Sequence, residues 1–169
     1  MTRIHPLGAA FAAAAVTWAV ALPAAAAASG AAPPGSPARV ASQLVYAAGA
    51  VVCHQRPERS FHLVGQALPV CARCAGIYAG AAGAVLVLGA AALVGAPRTG
   101  RRRPALDTRL ARRAAVAAFL PTALTLAWEW EWGMGRTPAN VLRAAAGVPV
   151  GLFVAWVVML ATRRPGQSE

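Results

Sequence analysis

Four long apolar stretches set the pattern of this chain, with short polar segments between them. The first runs from Leu7 to Ala28, behind Arg3 and His5. The second, residues 75–96, carries no charge. The third, residues 114–132, contains Pro121, which predicts a kink, and ends in Trp128-Glu129-Trp130-Glu131-Trp132. The fourth runs from Val141 to Thr162 and contains Pro149. About 20 apolar residues are enough for a helix to cross a bilayer, and backbone polar groups in lipid must be satisfied within the segment. The pattern therefore predicts an all-α fold, a small multipass transmembrane bundle of about four membrane helices.

A fifth apolar run, residues 39–52, is shorter. A run of that length lies in the interface or re-enters more often than it spans, and this one delivers Cys53 to the membrane surface. Residues 1–28 admit two readings. They are an uncleaved membrane helix, the favoured one, or a secretory signal with small residues near Ala26 to Ala28. Residues 29–38 hold three prolines and two glycines and read as a linker. Residues 39–164 form the membrane domain, and 165–169 a tail. Residues 133–137 read as a tight turn, with Thr137 capping a helix that begins at Pro138. Small residues recur four apart at Gly76 and Gly80, continued by Gly83, and again at Gly147 and Gly151. Such spacing lets membrane helices approach closely.

Composition supports the membrane reading. The chain is 58% hydrophobic, against about 45–50% in soluble domains. Its net charge of +11 would suit a nucleic-acid binder, but all 16 basic residues are arginine and the densest cluster lies between two apolar runs. Residues 97–113 carry seven arginines against one aspartate, which marks a cytoplasmic loop. With that loop inside, ten arginines fall on the cytoplasmic side and six on the other. Both termini are then cytoplasmic in a cell membrane. The expected partner is the lipid bilayer and not nucleic acid.

This orientation puts the chemistry on one face. Residues 53–80 hold all three cysteines, with His54 and His62. Together with the segment from Trp128 to Arg143 they form an extracytoplasmic Cys/His cap. Thiols and imidazole bind soft metals or carry redox chemistry. In a metal site, Cys53, His54, Cys71 and Cys74 would hold zinc or another soft transition metal, with Cys71-x-x-Cys74 as the chelating pair. His62 is the substitute ligand, because the side chains of the neighbours Cys53 and His54 diverge. Three sulfurs about 3.5–4 Å apart, with an imidazole nitrogen aimed at their centre, would mark that site. Three converging sulfurs without imidazole would mark a thiol relay, in which Cys71 and Cys74 cycle and Cys53 resolves. There, Arg59, Arg73 and the start of the following helix would favour thiolate. A structural staple, Cys53–Cys71 or Cys53–Cys74, is the third reading. A c-type haem site has no support, since Ala75 and not histidine follows Cys74. Glu129 and Glu131 read as an interfacial rim. If the last turn packs over the cap, Glu129 comes within reach of Arg59 or Arg73.

Cys53-His54-Gln55, then Pro57-Glu58-Arg59-Ser60-Phe61, then the run from Leu68 through Cys71-Ala72-Arg73-Cys74 to Gly80 carry a resemblance. They resemble DUF2085, a family of small prokaryotic membrane proteins without assigned function. A weaker likeness extends to Pro121, Asn140, Arg143, Gly147 and Gly151. Ala75 stands where the family usually has threonine. The family also leads one to expect an aspartate after Pro121, where this chain has Glu129 and Glu131. The resemblance implies a multipass helical membrane protein and supplies no reaction.

Overall fold

The computed structural model describes residues 6–93, 108–132 and 139–162. Among these the chain forms α1 (Pro6–Ala31), α2 (Pro37–Val52), a 3-10 turn (Pro57–Arg59) and a two-stranded hairpin, β1 (His62–Leu63) and β2 (Gln66–Ala67). It continues as α3 (Ala72–Leu93), α4 (Thr108–Trp132) and α5 (Asn140–Ala161). Four helices are long and apolar enough to cross a membrane, Pro6–Ala31, Ala72–Ala91, Thr108–Glu131 and Asn140–Ala161. The fold is the expected all-α membrane bundle. Residues 97–107 of the arginine-dense stretch, and the expected turn at 133–137 with its cap at Thr137, lie outside the described residues.

Element boundaries differ from the sequence reading in two places. α1 continues through Ser29 and Gly30 to Ala31, so the break between the first two helices is only residues 32–36. Alanine has the highest helix propensity, and it carries the helix past a glycine. α2 restarts at Pro37 because Ser36 caps it, its hydroxyl accepting from the Arg39 amide at 3.3 Å, and because proline suits the first helical turn. α4 starts at Thr108, six residues before the apolar run, and takes Arg109, Arg112 and Arg113 into its first turns.

The hairpin was not legible in the sequence pattern. Its strands are two residues each, paired His62 with Ala67 and Leu63 with Gln66. The connecting Val64 and Gly65 both have positive φ, 51° and 73°, as a two-residue type I′ turn requires. Valine is rare at such a φ, so the β-branched residue hid the turn. The C-terminal end of α1 lies against it; a side chain on Gly30 would meet the Val64 carbonyl.

The helices stack in the order α2, α1, α3, α5, α4. The closest crossing is that of α3 and α5. A methyl group on Gly76 or Gly80 would overlap the carbonyl oxygen of Ala144 or Val148. One on Gly147 or Gly151 would overlap that of Arg73 or Ile77. The two small-residue pairs thus face each other, and each backbone packs directly on the other. Gly83 takes no part, since a side chain there meets none of the described residues within 4 Å. Gly151→Ala is expected to destabilise the bundle by about 1–3 kcal/mol through overpacking, whereas Gly83→Ala gains up to about 1 kcal/mol of helix propensity. Unfolding of the purified protein in mixed detergent micelles checks both; equal effects would show that the crossing is not close.

Candidate thiol site and the charged network beside it

Three segments bring the cysteines together. Cys53 terminates α2, in extended backbone with φ −147° and ψ 140°. Cys71 sits one residue before α3, and its carbonyl accepts from the Ala75 amide at 2.9 Å, which makes it the capping position. Cys74 is the third residue of the helix. The three sulfurs lie within 4.8 Å of one another. All three are free thiols, Cys53 buried and the others half-buried.

The scaffold holding them is specific. Gln55, at φ 49°, donates through Nε2 to the carbonyls of Tyr46 at 2.7 Å and Pro69 at 2.8 Å. This side chain ties the end of α2 to the chain entering α3. Gly49 makes room for the same contact, since a methyl there would overlap the Pro69 carbonyl. The Tyr46 hydroxyl donates to the Ala67 carbonyl. The Cys71 amide donates to the Cys53 sulfur at 3.1 Å. Around the sulfurs pack Leu22, Val45, Val70 and the pair Trp18 and Tyr78, whose rings meet edge to face at 6.0 Å. α1 therefore builds part of the thiol pocket.

His54 and His62 are exposed, and neither belongs to the group of converging ligand atoms. For His54 the reason is the extended backbone at Cys53, which sends successive side chains to opposite sides. The side chains of Arg59 and Arg73 face Glu129; of the two, Arg73 acts on Cys71 through its backbone amide. A hydrogen bond from the Cys74 thiol is the main influence that lowers the Cys71 thiol to about 5. Burial pushes it the other way, and the Cys53 thiol and the Arg73 amide add to the lowering.

The opposite face of α3 carries a second cluster. The Glu129 side chain is 5% exposed and meets three arginines. Its Oε1 accepts from Arg73 Nη2 and from Arg143 Nε, each at 2.9 Å. Its Oε2 lies 3.2 Å from Arg59 Nη1. Arg73 also donates to the Thr125 hydroxyl, one turn before Glu129, at 3.2 Å. Arg143 Nη1 donates to Asn140 Oδ1 at 2.7 Å, and Asn140 Nδ2 donates to the carbonyl of buried Ser60 at 2.9 Å. One carboxylate thus joins the cap, α3, α4 and α5. Glu129 turns into the bundle, contrary to the interfacial-rim expectation, while Glu131 is exposed. The proximity of Glu129 to Arg59 and Arg73 is as the sequence reading foresaw.

Comparison with known proteins follows the same residues. DUF2085, described as a predicted membrane protein, matches residues 53–157. An uncharacterized protein of Methanothermobacter thermautotrophicus is 35% identical over 105 residues, 62% of this chain and 81% of that protein. An uncharacterized protein of Methanocaldococcus jannaschii is 53% identical over 36 residues, 21% of this chain. The match covers only 23% of the Methanocaldococcus protein's length. No solved structure matches.

Removing the shared carboxylate leaves desolvated guanidinium groups without their counter-charge. Glu129→Ala is expected to destabilise the protein by about 3–5 kcal/mol. Glu131→Ala, at an exposed position of the same helix, should change stability by less than about 0.5 kcal/mol. Chemical unfolding in detergent distinguishes the two; a Glu129→Ala protein as stable as the wild type would show that the network carries no weight in the fold.

Proposed function

The chain belongs to DUF2085, a family of predicted membrane proteins, and we propose that it is a membrane thiol–disulfide exchange protein with an extracytoplasmic cysteine centre. The observation that supports this best is the convergence of three free sulfurs, with no imidazole of the described residues in the group. Exchange needs thiols within bonding reach of one another and a thiolate to start. The Cys71 thiolate attacks a disulfide of the substrate. A mixed disulfide forms, and the first substrate sulfur leaves as a thiol. Cys74 then attacks the Cys71 sulfur, an internal disulfide forms, and the second substrate thiol is released. The substrate gains two electrons and two protons, and the cysteine pair loses them. Cys53 lies close enough to attack that internal disulfide and pass the bridge on. The capping position of Cys71 and its low thiol are consistent with the attacking role. The arginine-dense stretch at 97–113 supports the orientation.

A second reading is supported by the same convergence and by the amide that donates to Cys53. Three thiolates fit a soft ion such as zinc or copper(I), held by Cys53, Cys71 and Cys74. His54 would complete the set only by turning inward from its exposed position.

The readings separate on the purified full chain, prepared without chelator. Exchange predicts reduction of a disulfide-bonded peptide with loss of two protein thiols. Cys71→Ser should abolish the reaction, and Cys53→Ser combined with Cys74→Ser, which leaves no second thiol within reach, should accumulate the mixed disulfide on Cys71. One equivalent of bound metal, lost in Cys71→Ser and Cys74→Ser, together with no exchange, would establish the metal reading instead.

Orientation is tested by labelling. In an otherwise cysteine-free background, Gln66→Cys should react with a membrane-impermeant reagent on intact cells and Thr99→Cys should not. The reverse result would place the cysteine centre in the cytoplasm.

A further inference from the structure

The N-terminal half of α4 carries features that neither the thiol centre nor the charged network uses. Arg109, Arg112 and Arg113 recur at helical spacing, and the same face continues down the helix as Val116, Ala117 and Leu120. These six residues line one open cavity of about 550 Å³. Its cationic end lies at the start of the helix and its apolar end deeper along it. Ala117 also lines a second, adjoining groove of about 380 Å³, whose lining residues are all apolar. That groove lies between α4 and α5 and includes Ala118, Pro149, Phe153 and Trp156.

We propose that this slot binds an anionic glycerophospholipid, its phosphate at Arg112 and Arg113 and one acyl chain in the groove between α4 and α5. Charge complementarity selects the occupant. No acidic residue precedes Glu129 within α4, so Arg112 and Arg113 meet no acid of their own helix. Arg112 and Arg113 are exposed, as are Val116 and Leu120 below them. The distance from the first arginine to Leu120 is eleven residues of helix, about 16 Å, close to half of the roughly 30 Å hydrocarbon core. A headgroup at the arginines therefore puts its acyl chain at the depth of the apolar groove. The paired rings of Phe153 with Phe119 at 6.2 Å and with Trp156 at 5.9 Å give that groove a firm wall. A neutral lipid would fill the apolar part equally well and leave the arginines without a partner from the lipid. Each arginine near an anionic headgroup contributes about fivefold in affinity.

The probe is phosphatidylglycerol, titrated into the purified full chain in neutral detergent, with thermal stability and intact-complex mass spectrometry as readouts. Phosphatidylcholine and inorganic phosphate are the comparison arms. Phosphatidylglycerol is expected to bind at one site and raise the melting temperature at concentrations at which the other two do not. Arg112→Gln with Arg113→Gln should weaken it about 25-fold. Arg56→Gln, at an exposed arginine of the cap, should leave binding unchanged. Equal binding of phosphatidylcholine would overturn the proposal, as would an unchanged preference in the double variant. Stabilisation by inorganic phosphate alone would reject the lipid as occupant. A dimer that occludes α4 and excludes phosphatidylglycerol would assign the slot to a second copy of the chain. The wild-type comparison of lipids requires no variant, so poor folding of the double variant would not remove the test.

Discussion

The direct backbone contact between α3 and α5 is the constraint on which the other arrangements depend. Two helices at this separation cannot slide or rotate without driving a carbonyl into a Cα, because Gly76, Gly80, Gly147 and Gly151 each meet a carbonyl of the other helix. In a bilayer no hydrophobic gain holds helices together, and close van der Waals packing takes its place. The rotation of α3 about its own axis is thereby fixed. One side of its first turn must face α5, and the other must face α1 and α2.

That fixed rotation separates two chemistries only a residue apart in sequence. Cys71 and Cys74 point with Ala75 and Tyr78 toward Leu22, Trp18 and Cys53. Arg73, between them, points to Glu129 and Thr125 on α4. The charged cluster runs against local preference. Arg73 and Arg143 lie near the positive N-terminal ends of their helices, and Glu129 lies near the negative C-terminal end of its own. None of the three is well placed within its own helix, and only tertiary pairing satisfies them. Local choices that conflict in this way mark specificity or function more often than stability. Here the consequence is visible: Arg59 in the cap, Arg73 on α3 and Arg143 on α5 converge on one carboxylate of α4, and Asn140 carries the chain of bonds on to the backbone of Ser60.

Much of the bundle was legible in the sequence because membrane helices are written in long apolar runs, and lipid leaves the backbone few alternatives. The cysteine cluster was legible for a different reason, since all three thiols fall in a window of 22 residues beside a helix start. What could not be read depended on single dihedrals and on packing between distant segments. His54 faces away because Cys53 is extended, a fact about one residue's φ and ψ that no spacing encodes. The hairpin was hidden because its turn uses Val64 where glycine or asparagine would have announced it. The contribution of Trp18 and Leu22 was invisible in a uniformly alanine-rich helix, whose sequence marks no inward face. The role of Gln55 had no sequence signal, because its amide spans two backbone carbonyls that only the fold brings together. Glu129 carried one usable signal. An acid one turn after Thr125, near the end of a membrane helix, is costly unless it faces inward and finds a partner.

A single centre made of three thiols is the central claim, and pairwise oxidation tests it most directly. Each of Cys53→Ser, Cys71→Ser and Cys74→Ser leaves two cysteines. Mild oxidation of each variant in the membrane, followed by peptide mapping, should find an intramolecular disulfide in all three, because every pair of sulfurs lies within 4.8 Å. A bridge between Cys71 and Cys74 alone, with Cys53 remaining a free thiol in the other two variants, would contradict the shared centre.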